Sequence, residues 1–486
     1  MNLRELKSGT DIRGKAMGEN AGLTPEAVRR ITAAYVLFLE RRLGKPAGQM
    51  TVAVGHDPRL SSGSIREQVV AVLTSKGVRV LDCGLSSTPA MFMIIADGLC
   101  DSSVMITASH LPADRNGLKF FLKSGGLEGS DIDEILDLTV EDAPVAANAS
   151  LIEKCGYMTA YADHLRQLII DGTGAKMPLK GFKIAVDAGN GSGGFYAKNV
   201  LEPLGADVSG SVFLEPDGSF PNHMPNPEDA AAMRAISEAV TSSKSDLGVI
   251  FDTDVDRAAV VDGDGREINR DRLVALASCI ALEGNEGGTI VTDSVTTDGL
   301  KDFIENELGG RQRRFKRGYK NVINEAIRLN NEGVNCPLAI ETSGHAAMRE
   351  NYFLDDGAYL ATKIIILAAR LREQGKTIGE LISGLREPRQ EIEARYRILS
   401  PDFRAYGLSV LDALEKFGNE ADGVSVVPDS AEGVRLSFDN GWLLLRLSVH
   451  DPVLPLNIAS DDDGGADKIF SLFNQFISSF SELERQ

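Results

Sequence analysis

Short apolar runs alternate with amphipathic stretches along most of the chain. Residues 51–55 (TVAVG), 78–84 and 102–107 read as strands, and 65–77 and 87–99 between them repeat apolar residues at helical spacing. Apolar runs of this length, bounded by Gly, Pro or Ser, suit strands buried on both faces. Helical connections between such strands imply right-handed crossovers and a mostly parallel sheet. The rhythm returns over 183–254, where a helix is expected at 195–205, and again over 288–344. In each pass a buried strand runs into a polar loop: TASH at 107–110, DTDVDR at 252–257 and ETSGH at 341–345. Ligand sites in open α/β sheets lie at the carboxyl ends of strands, so the three loops are expected to face one central cleft.

Beyond a helix expected over 355–375 the rhythm changes. Residues 402–418 and 466–480 read as helices. Residues 433–449 read as a hairpin turning at Asp439-Asn440-Gly441, since Asn-Gly suits a tight turn. The expected fold class is therefore α/β. Three related α/β domains (1–155, 156–266 and 267–386) precede a C-terminal α+β domain at 387–486.

Composition narrows the function more than the fold. The 486 residues leave room for several domains, and 43% hydrophobic with 25% charged residues is the balance of a globular protein. An excess of 70 acidic over 51 basic side chains, net −19, argues against broad nucleic-acid binding. Cys83, Cys100, Cys155, Cys279 and Cys336 form no CxxC pair, so neither a zinc knuckle nor a disulfide framework is expected. No signal-peptide core opens the chain, and the apolar run at 364–369 is cut short by Lys363 and Arg370. A cytoplasmic protein with no membrane partner is the expectation.

DTDVDR carries the most chemistry. Alternate carboxylates on a turning loop, Asp252, Asp254 and Asp256, can converge on one hard cation and leave positions free for a phosphate oxygen, which suits Mg²⁺. An EF-hand also begins DxDxD, but its sixth position here is Arg257 and its twelfth Gly263. The bland alternative is a solvated acidic turn. In TASHLPADRNGLKFF, Ser109 follows a buried strand and is placed as a nucleophile or phosphate carrier, with Lys119 able to reach the same space. Position 107 is Thr and 111 is Leu, so the GxSxG elbow of Ser-His-Asp hydrolases is not matched. Taken alone, Ser109 reads equally as a loop hydroxyl and His110 as a hydrogen-bonded structural histidine.

Three further segments are weaker alone. In ETSGH, Glu341 and Ser343 can bind sugar hydroxyls and His345 can exchange protons near neutral pH, although a helix-capping loop is the better reading of the motif alone. In RLSVHDP, Arg446 offers a planar fork for phosphate and Ser448 a hydroxyl. GNGSGG at 189–194 fits the dinucleotide fingerprint, but Asp207 comes too early to bind a ribose, so a structural glycine turn is favoured.

Together these segments describe phosphate chemistry, and over essentially its whole length the chain resembles the α-D-phosphohexomutase superfamily, which includes phosphoglucomutase, phosphomannomutase and phosphoglucosamine mutase. The family's TASHNP appears as TASHLP, its DGDxDR as DTDVDR and its GExSGH as IETSGH, with Ile340 for the leading Gly. GTDIRG with Arg13, GHDPR with Arg59, and Gly318-Tyr319-Lys320 are similar to other active-site segments of the family. Its RxSGTEP loop appears as RLSVHDP, with Val449 for Gly and His450 for Thr. A branched residue in place of Gly limits the backbone amides that would cradle phosphate.

The resemblance implies a mutase that moves phosphate between O1 and O6 of a hexose phosphate through a phosphoserine and a hexose 1,6-bisphosphate. It implies Ser109, Lys119, His345, Arg257 and Arg13 as catalytic residues. One Mg²⁺ per chain would sit on Asp252, Asp254, Asp256 and the phosphorylated Ser109. Arg59, His110, Gly318, Lys320, Glu341, Ser343, Arg446 and Ser448 would bind substrate. A hexose 1,6-bisphosphate is the expected activator and hexose phosphates the expected partners of a monomer or homodimer. The altered RLSVHDP loop keeps a second reading open, a weakened mutase-like sensor of sugar phosphates. A third reading is a Mg²⁺-dependent sugar phosphatase. Glucose, mannose and glucosamine phosphates are not separated by sequence.

Overall fold

The computed structural model describes residues 2–139, 141–142, 144–448 and 451–486. The chain forms two compact units: Met1–Asn269 with Ser343–Glu380, and Arg270–Thr342 with Leu381–Gln486.

The first unit opens with a sheet whose path runs Lys7–Ser8, Asp11–Lys15, Arg115–Leu122, Ser102–Ile106, Thr51–His56, Arg79–Leu85, Ile152–Lys154. Thr51–His56 is parallel to both its neighbours, Arg79–Leu85 and Ser102–Ile106. Arg115–Leu122 is antiparallel to Ser102–Ile106 and to Asp11–Lys15. The sheet is therefore mixed, where helical rhythm alone suggested mostly parallel strands. The reason is local: the polar loop after Ile106 is too short for a crossover, and a chain that returns at once pairs antiparallel. The helix Pro25–Leu43 covers this sheet with Val28, Ile31, Tyr35 and Phe38, all buried. The Thr24 hydroxyl caps its start by accepting from the Ala27 amide, and Gly44, at φ 63°, ends it.

A second sheet in this unit pairs Ile184–Asp187 parallel with Leu247–Phe251, and Leu247–Phe251 antiparallel with Ala258–Asp262. DTDVDR is thus the loop of a hairpin, with Phe251 opposite Ala258. The helix expected at 195–205 is a π-helical turn, Tyr196–Leu201, followed by a 3₁₀ turn, Glu202–Leu204. Pro203 has no N–H to continue an α-helical ladder. The glycines of GNGSGG serve close packing: a Cβ on Gly191 would lie 2.7 Å from the Thr253 carbonyl oxygen, and one on Gly193 3.0 Å from Phe251. The structural turn, not the dinucleotide fingerprint, explains them.

In the second unit Thr289–Asp293 lies parallel to Arg311–Phe315 and to Leu338–Ile340. The C-terminal part carries an antiparallel sheet, Ser425–Val426, Val434–Phe438, Gly441–Leu445, Val453–Ser460, Gln390–Ile398, Leu483–Arg485. Helices Phe403–Glu420 and Gly465–Ile477 share one core with it. The hairpin turns through Asp439 and Asn440, while Gly441 already belongs to the next strand. A Cβ there would meet the Ala459 carbonyl oxygen at 2.6 Å. The strand through Pro455 is not evident from sequence, because proline in a strand normally marks an edge, yet Val453–Ser460 pairs on both sides. Among the described residues no helix is long and apolar enough to cross a membrane.

Candidate active site

Ser109 stands three residues beyond the strand Ser102–Ile106, buried to 2% exposure and held at φ 52°. Its amide donates to the Thr107 hydroxyl at 2.9 Å, which in turn donates to Asp57 at 2.7 Å. The Ser109 hydroxyl donates to Asp252 Oδ2 at 3.1 Å, and a guanidinium nitrogen of Arg257 approaches it at 3.5 Å. The Nδ1 of His110 is 3.4 Å away. Burial, then the charges of Arg257 and Arg13, pushes His110 down to about 3, so its ring is neutral at physiological pH.

The carboxylates of Asp252, Asp254 and Asp256 are fully or almost fully buried, and one oxygen of each lies within 4.8 Å of the others. Burial and then the charges of Asp256 and Asp254 raise Asp252 well above the ordinary carboxylate range. Lys119 answers that concentration of charge: its ammonium sits 3.1 Å from Asp254 Oδ2 and 2.5 Å from Asp256 Oδ2. Burial alone would lower Lys119, but Asp254 and Asp256 outweigh it and hold the ammonium well above its usual value. The charged ammonium is therefore the favoured form beside these two carboxylates. It reaches this position because Arg115–Leu122 runs back beside Ser102–Ile106, with Lys119 opposite Met105.

The Oδ1 atoms of Asp254 and Asp256 are buried with no hydrogen-bond partner. Unpaired buried carboxylate oxygens are costly, and an oxygen-seeking divalent cation is what such a donor set fits. The triad could thus hold a metal ion. Asp254→Asn is expected to weaken Mg²⁺ binding by on the order of tenfold or more, since affinity at such sites follows carboxylate number. Titration calorimetry on the dephosphorylated protein checks this, and unchanged affinity would make DTDVDR an acidic turn.

Arg257 is buried and spans the site. Its Nε donates to Asp252 at 3.2 Å, and Nη1 to Asn226 at 3.2 Å and Glu228 at 3.3 Å. His345 lies alongside through a backbone bridge to Arg257. Its Nδ1 is 2.9 Å from the Ser343 hydroxyl, and its Nε2 faces Asp355 at 3.6 Å and Asp256 at 3.8 Å. Arg13 binds Asp11 at 2.7 Å, and its charge acts on Lys119 and His110. The first unit therefore gathers Ser109, His110, Lys119, the three aspartates, Arg257, Ser343, His345 and Arg13.

Arg59 differs from the expectation of a substrate ligand. Its side chain has 0% exposure, and all five N–H groups are engaged within the protein.

The second unit gathers a separate set. The Gly318 amide, at φ 116°, donates to Glu341 at 2.6 Å, and Lys320 lies on the helix Tyr319–Asn331 that follows. The Arg317 amide donates to Glu432 at 3.1 Å, and Arg446 faces Glu432 at 3.7 Å. The Nε of Arg446 is buried without a partner. Ser448 accepts from the Asp451 amide at 3.2 Å. Val449 and His450 lie outside the described residues. Beside Glu341, burial and then the Glu341 charge push Asp293 up to about 7. Asn226, Glu228, Asp293, Asp355 and Glu432 are not marked by the sequence. Asn226 and Glu228 meet Arg257 from about thirty residues away, and Glu432 meets Arg317 from 115 residues away, so no local motif marks them.

Known proteins match the chain over nearly its whole length. Family models for phosphoglucomutase/phosphomannomutase α/β/α domains I, II and III match residues 4–144, 159–265 and 269–388. A phosphoglucomutase of Neisseria gonorrhoeae is 31% identical over 486 residues, 99% of this chain and 98% of that protein. A phosphomannomutase/phosphoglucomutase of Pseudomonas aeruginosa (strain PAO1 among those compared) is 30% identical over 461 residues, 93% and 94% of the two chains. A crystal structure of a phosphoglucomutase/phosphomannomutase family protein from Burkholderia thailandensis superposes with a TM-score of 0.80 at 27% identity, covering 99% of this chain and 98% of that one. The chain belongs to the phosphoglucomutase/phosphomannomutase family of the α-D-phosphohexomutase superfamily, and it is an isomerase of that kind.

Proposed function

We propose that the chain moves a phosphoryl group between O1 and O6 of a hexose phosphate, with Ser109 as the carrier and a hexose 1,6-bisphosphate as intermediate and activator. The observation that carries this reading is the setting of the Ser109 hydroxyl, 3.1 Å from Asp252 and 3.5 Å from Arg257, in a site where two buried carboxylate oxygens make no hydrogen bond. A Mg²⁺ ion on Asp252, Asp254 and Asp256 would supply charge neutralisation for the transferring phosphoryl group.

In the forward half-reaction the bond from phosphorus to Ser109 Oγ breaks and one to the free sugar hydroxyl oxygen forms. His345 takes the hydroxyl proton, oriented by its contact with Ser343. The Lys119 ammonium steadies the negative charge that returns to Ser109 Oγ or gives it a proton. Arg257 stabilises the phosphoryl oxygens in flight. The second half-reaction reverses these roles after the bisphosphate turns over, and the phosphate first bound elsewhere passes to Ser109.

Glu341 and Ser343 are assigned to the sugar hydroxyls O3 and O4. Gly318 and Lys320 are assigned to the bound substrate, and Arg446 and Ser448 to the non-reacting phosphate. The buried Nε of Arg446 supports that role. Arg446→Ala is expected to raise KM for hexose phosphates about 10- to 100-fold, the loss of a charge-assisted contact of about 1.5–3 kcal/mol. Steady-state kinetics on glucose 1-phosphate, mannose 1-phosphate and glucosamine 1-phosphate check this and rank the substrates. The division at 155/156, 266/267 and 386/387 into four domains belongs to the same reading. It is supported by strands that fall within 7–154, 184–268, 289–355 and 390–485.

The test is intact-mass measurement after incubation with glucose 1,6-bisphosphate. One added phosphoryl group, mapped to Ser109, is the expected result. Its absence would remove Ser109 from the mechanism and favour the sensor reading.

A further inference from the structure

Arg59 lies at the bend after the strand Thr51–His56, fifty residues before the serine it serves. Its Nε donates to Asp57 at 3.0 Å. Nη1 donates to the carbonyls of Pro112 at 2.6 Å and Arg115 at 3.0 Å. Nη2 donates to the carbonyls of Ser109 and, at 2.6 Å, of Leu111. Four carbonyls of the loop that carries Ser109 therefore converge on one planar guanidinium. A guanidinium has five N–H donors, and all five are engaged, so none remains for a phosphate or sugar oxygen.

The surroundings fix the guanidinium in turn. Asp57 also accepts from the Arg59 amide at 3.0 Å, the Ser62 hydroxyl at 2.9 Å and the Thr107 hydroxyl at 2.7 Å. The Phe220 ring covers the face of Arg59, 5.2 Å from ring centre to Cζ. Gly218 pairs with Arg59 through a backbone bridge, so close that a Cβ there would meet the Pro58 carbonyl oxygen. The same stretch of chain then delivers Asn226 and Glu228 to Arg257. One segment thus braces both arginines that touch Ser109, Arg59 at its carbonyl and Arg257 at its hydroxyl.

We infer that Arg59 is a positioning residue of the Ser109 loop: it gathers the carbonyls of Ser109, Leu111, Pro112 and Arg115 so that the serine oxygen stays aimed at Asp252 and Arg257, and it does not touch substrate. The inference rests on Ser109 being the phosphoryl carrier. Ser109 sits at φ 52°, a left-handed conformation that an L-residue with a side chain holds only when its surroundings enforce it. The carbonyl clamp supplies that enforcement. Lysine keeps the charge but offers three donors from a single atom, so it cannot hold four carbonyls in a plane.

The experiment compares wild type with Arg59→Lys. Both are incubated with glucose 1,6-bisphosphate for phosphoryl mapping by mass, then assayed on glucose 1-phosphate. The expected result is a kcat lower by about 10- to 100-fold, slower phosphorylation of Ser109, and a KM within about twofold, the pattern of a displaced reacting group. A KM raised about tenfold with kcat unchanged, the pattern of a direct substrate contact, overturns the inference. So does a variant with both constants unchanged. Should Arg59→Lys fail to fold, Phe220→Leu is assayed in its place: a lower kcat at unchanged KM supports the clamp, and an unchanged kcat or a raised KM overturns it. A wild-type protein that gains no phosphoryl group on Ser109 sinks the carrier reading itself, and the inference falls with it.

Discussion

Ser109→Ala is expected to fold as the wild type does and to lose mutase turnover by on the order of 10³-fold or more, because alanine has no oxygen to carry phosphate. The fold should survive for particular reasons. Alanine keeps the Cβ that the backbone at φ 52° already accommodates, and the amide contact to Thr107 does not involve the hydroxyl. Asp252 loses one donor but keeps the Nε and the amide of Arg257, both at 3.2 Å. The stability change should then be about 1 kcal/mol or less. A coupled assay on glucose 1-phosphate with a trace of glucose 1,6-bisphosphate, run beside a urea unfolding curve, measures both quantities. Turnover within a few-fold of wild type would take the serine out of the reaction.

Lys119→Met is expected to cost both stability and rate. The ammonium is nearly fully buried and is the partner of two buried carboxylates, Asp254 and Asp256, with Asp252 beside them. Removing one member of a buried ion pair leaves an uncompensated charge and costs about 3–5 kcal/mol. Methionine fills the stem's volume, so the loss reports charge more than packing. Turnover should fall by about 10²- to 10⁴-fold, the range for a positioned acid or fixed charge in proton transfer. Added Mg²⁺ should recover part of the stability, because a cation bound by the same carboxylates replaces the missing charge, but it should not recover the rate. Thermal unfolding with and without Mg²⁺, together with kcat, separates the two effects. A variant as stable as wild type, with kcat within a few-fold, would show that the aspartates do not need this lysine.

The second unit's loop should behave differently from both of these. Arg446 faces Glu432 at 3.7 Å and is assigned to the non-reacting phosphate, so its loss belongs in KM.

Much of the site was legible because its chemistry is written in consecutive residues. A hairpin loop of six residues brings Asp252, Asp254 and Asp256 together, so spacing alone marks them as a candidate cation site, while their burial depends on the fold. Ser109 and His345 were visible for the same reason, each at the end of an apolar strand. The strands were legible where apolar runs met Gly, Pro or Ser. They were missed where a polar residue or a proline interrupts them. Lys119 breaks the apolar run of Arg115–Leu122, and Pro455 interrupts Val453–Ser460.

What tertiary structure alone decided is the partner of each charge. Sequence places Lys119 within reach of the serine and says nothing of its partners. Only the antiparallel return of its strand, 135 residues before Asp254, puts it between two aspartates and keeps it protonated. Arg59 and Arg257 look alike in sequence, each an arginine after an aspartate-bearing strand end. Arg257 keeps a long 3.5 Å approach to the serine hydroxyl, while every donor of Arg59 is taken by carbonyls and Asp57. Residue type and spacing determine which charges and hydroxyls a loop can offer. Which of them stay available for chemistry depends on how many hydrogen-bond partners folding brings within reach, and that number is set by contacts between segments distant in the chain.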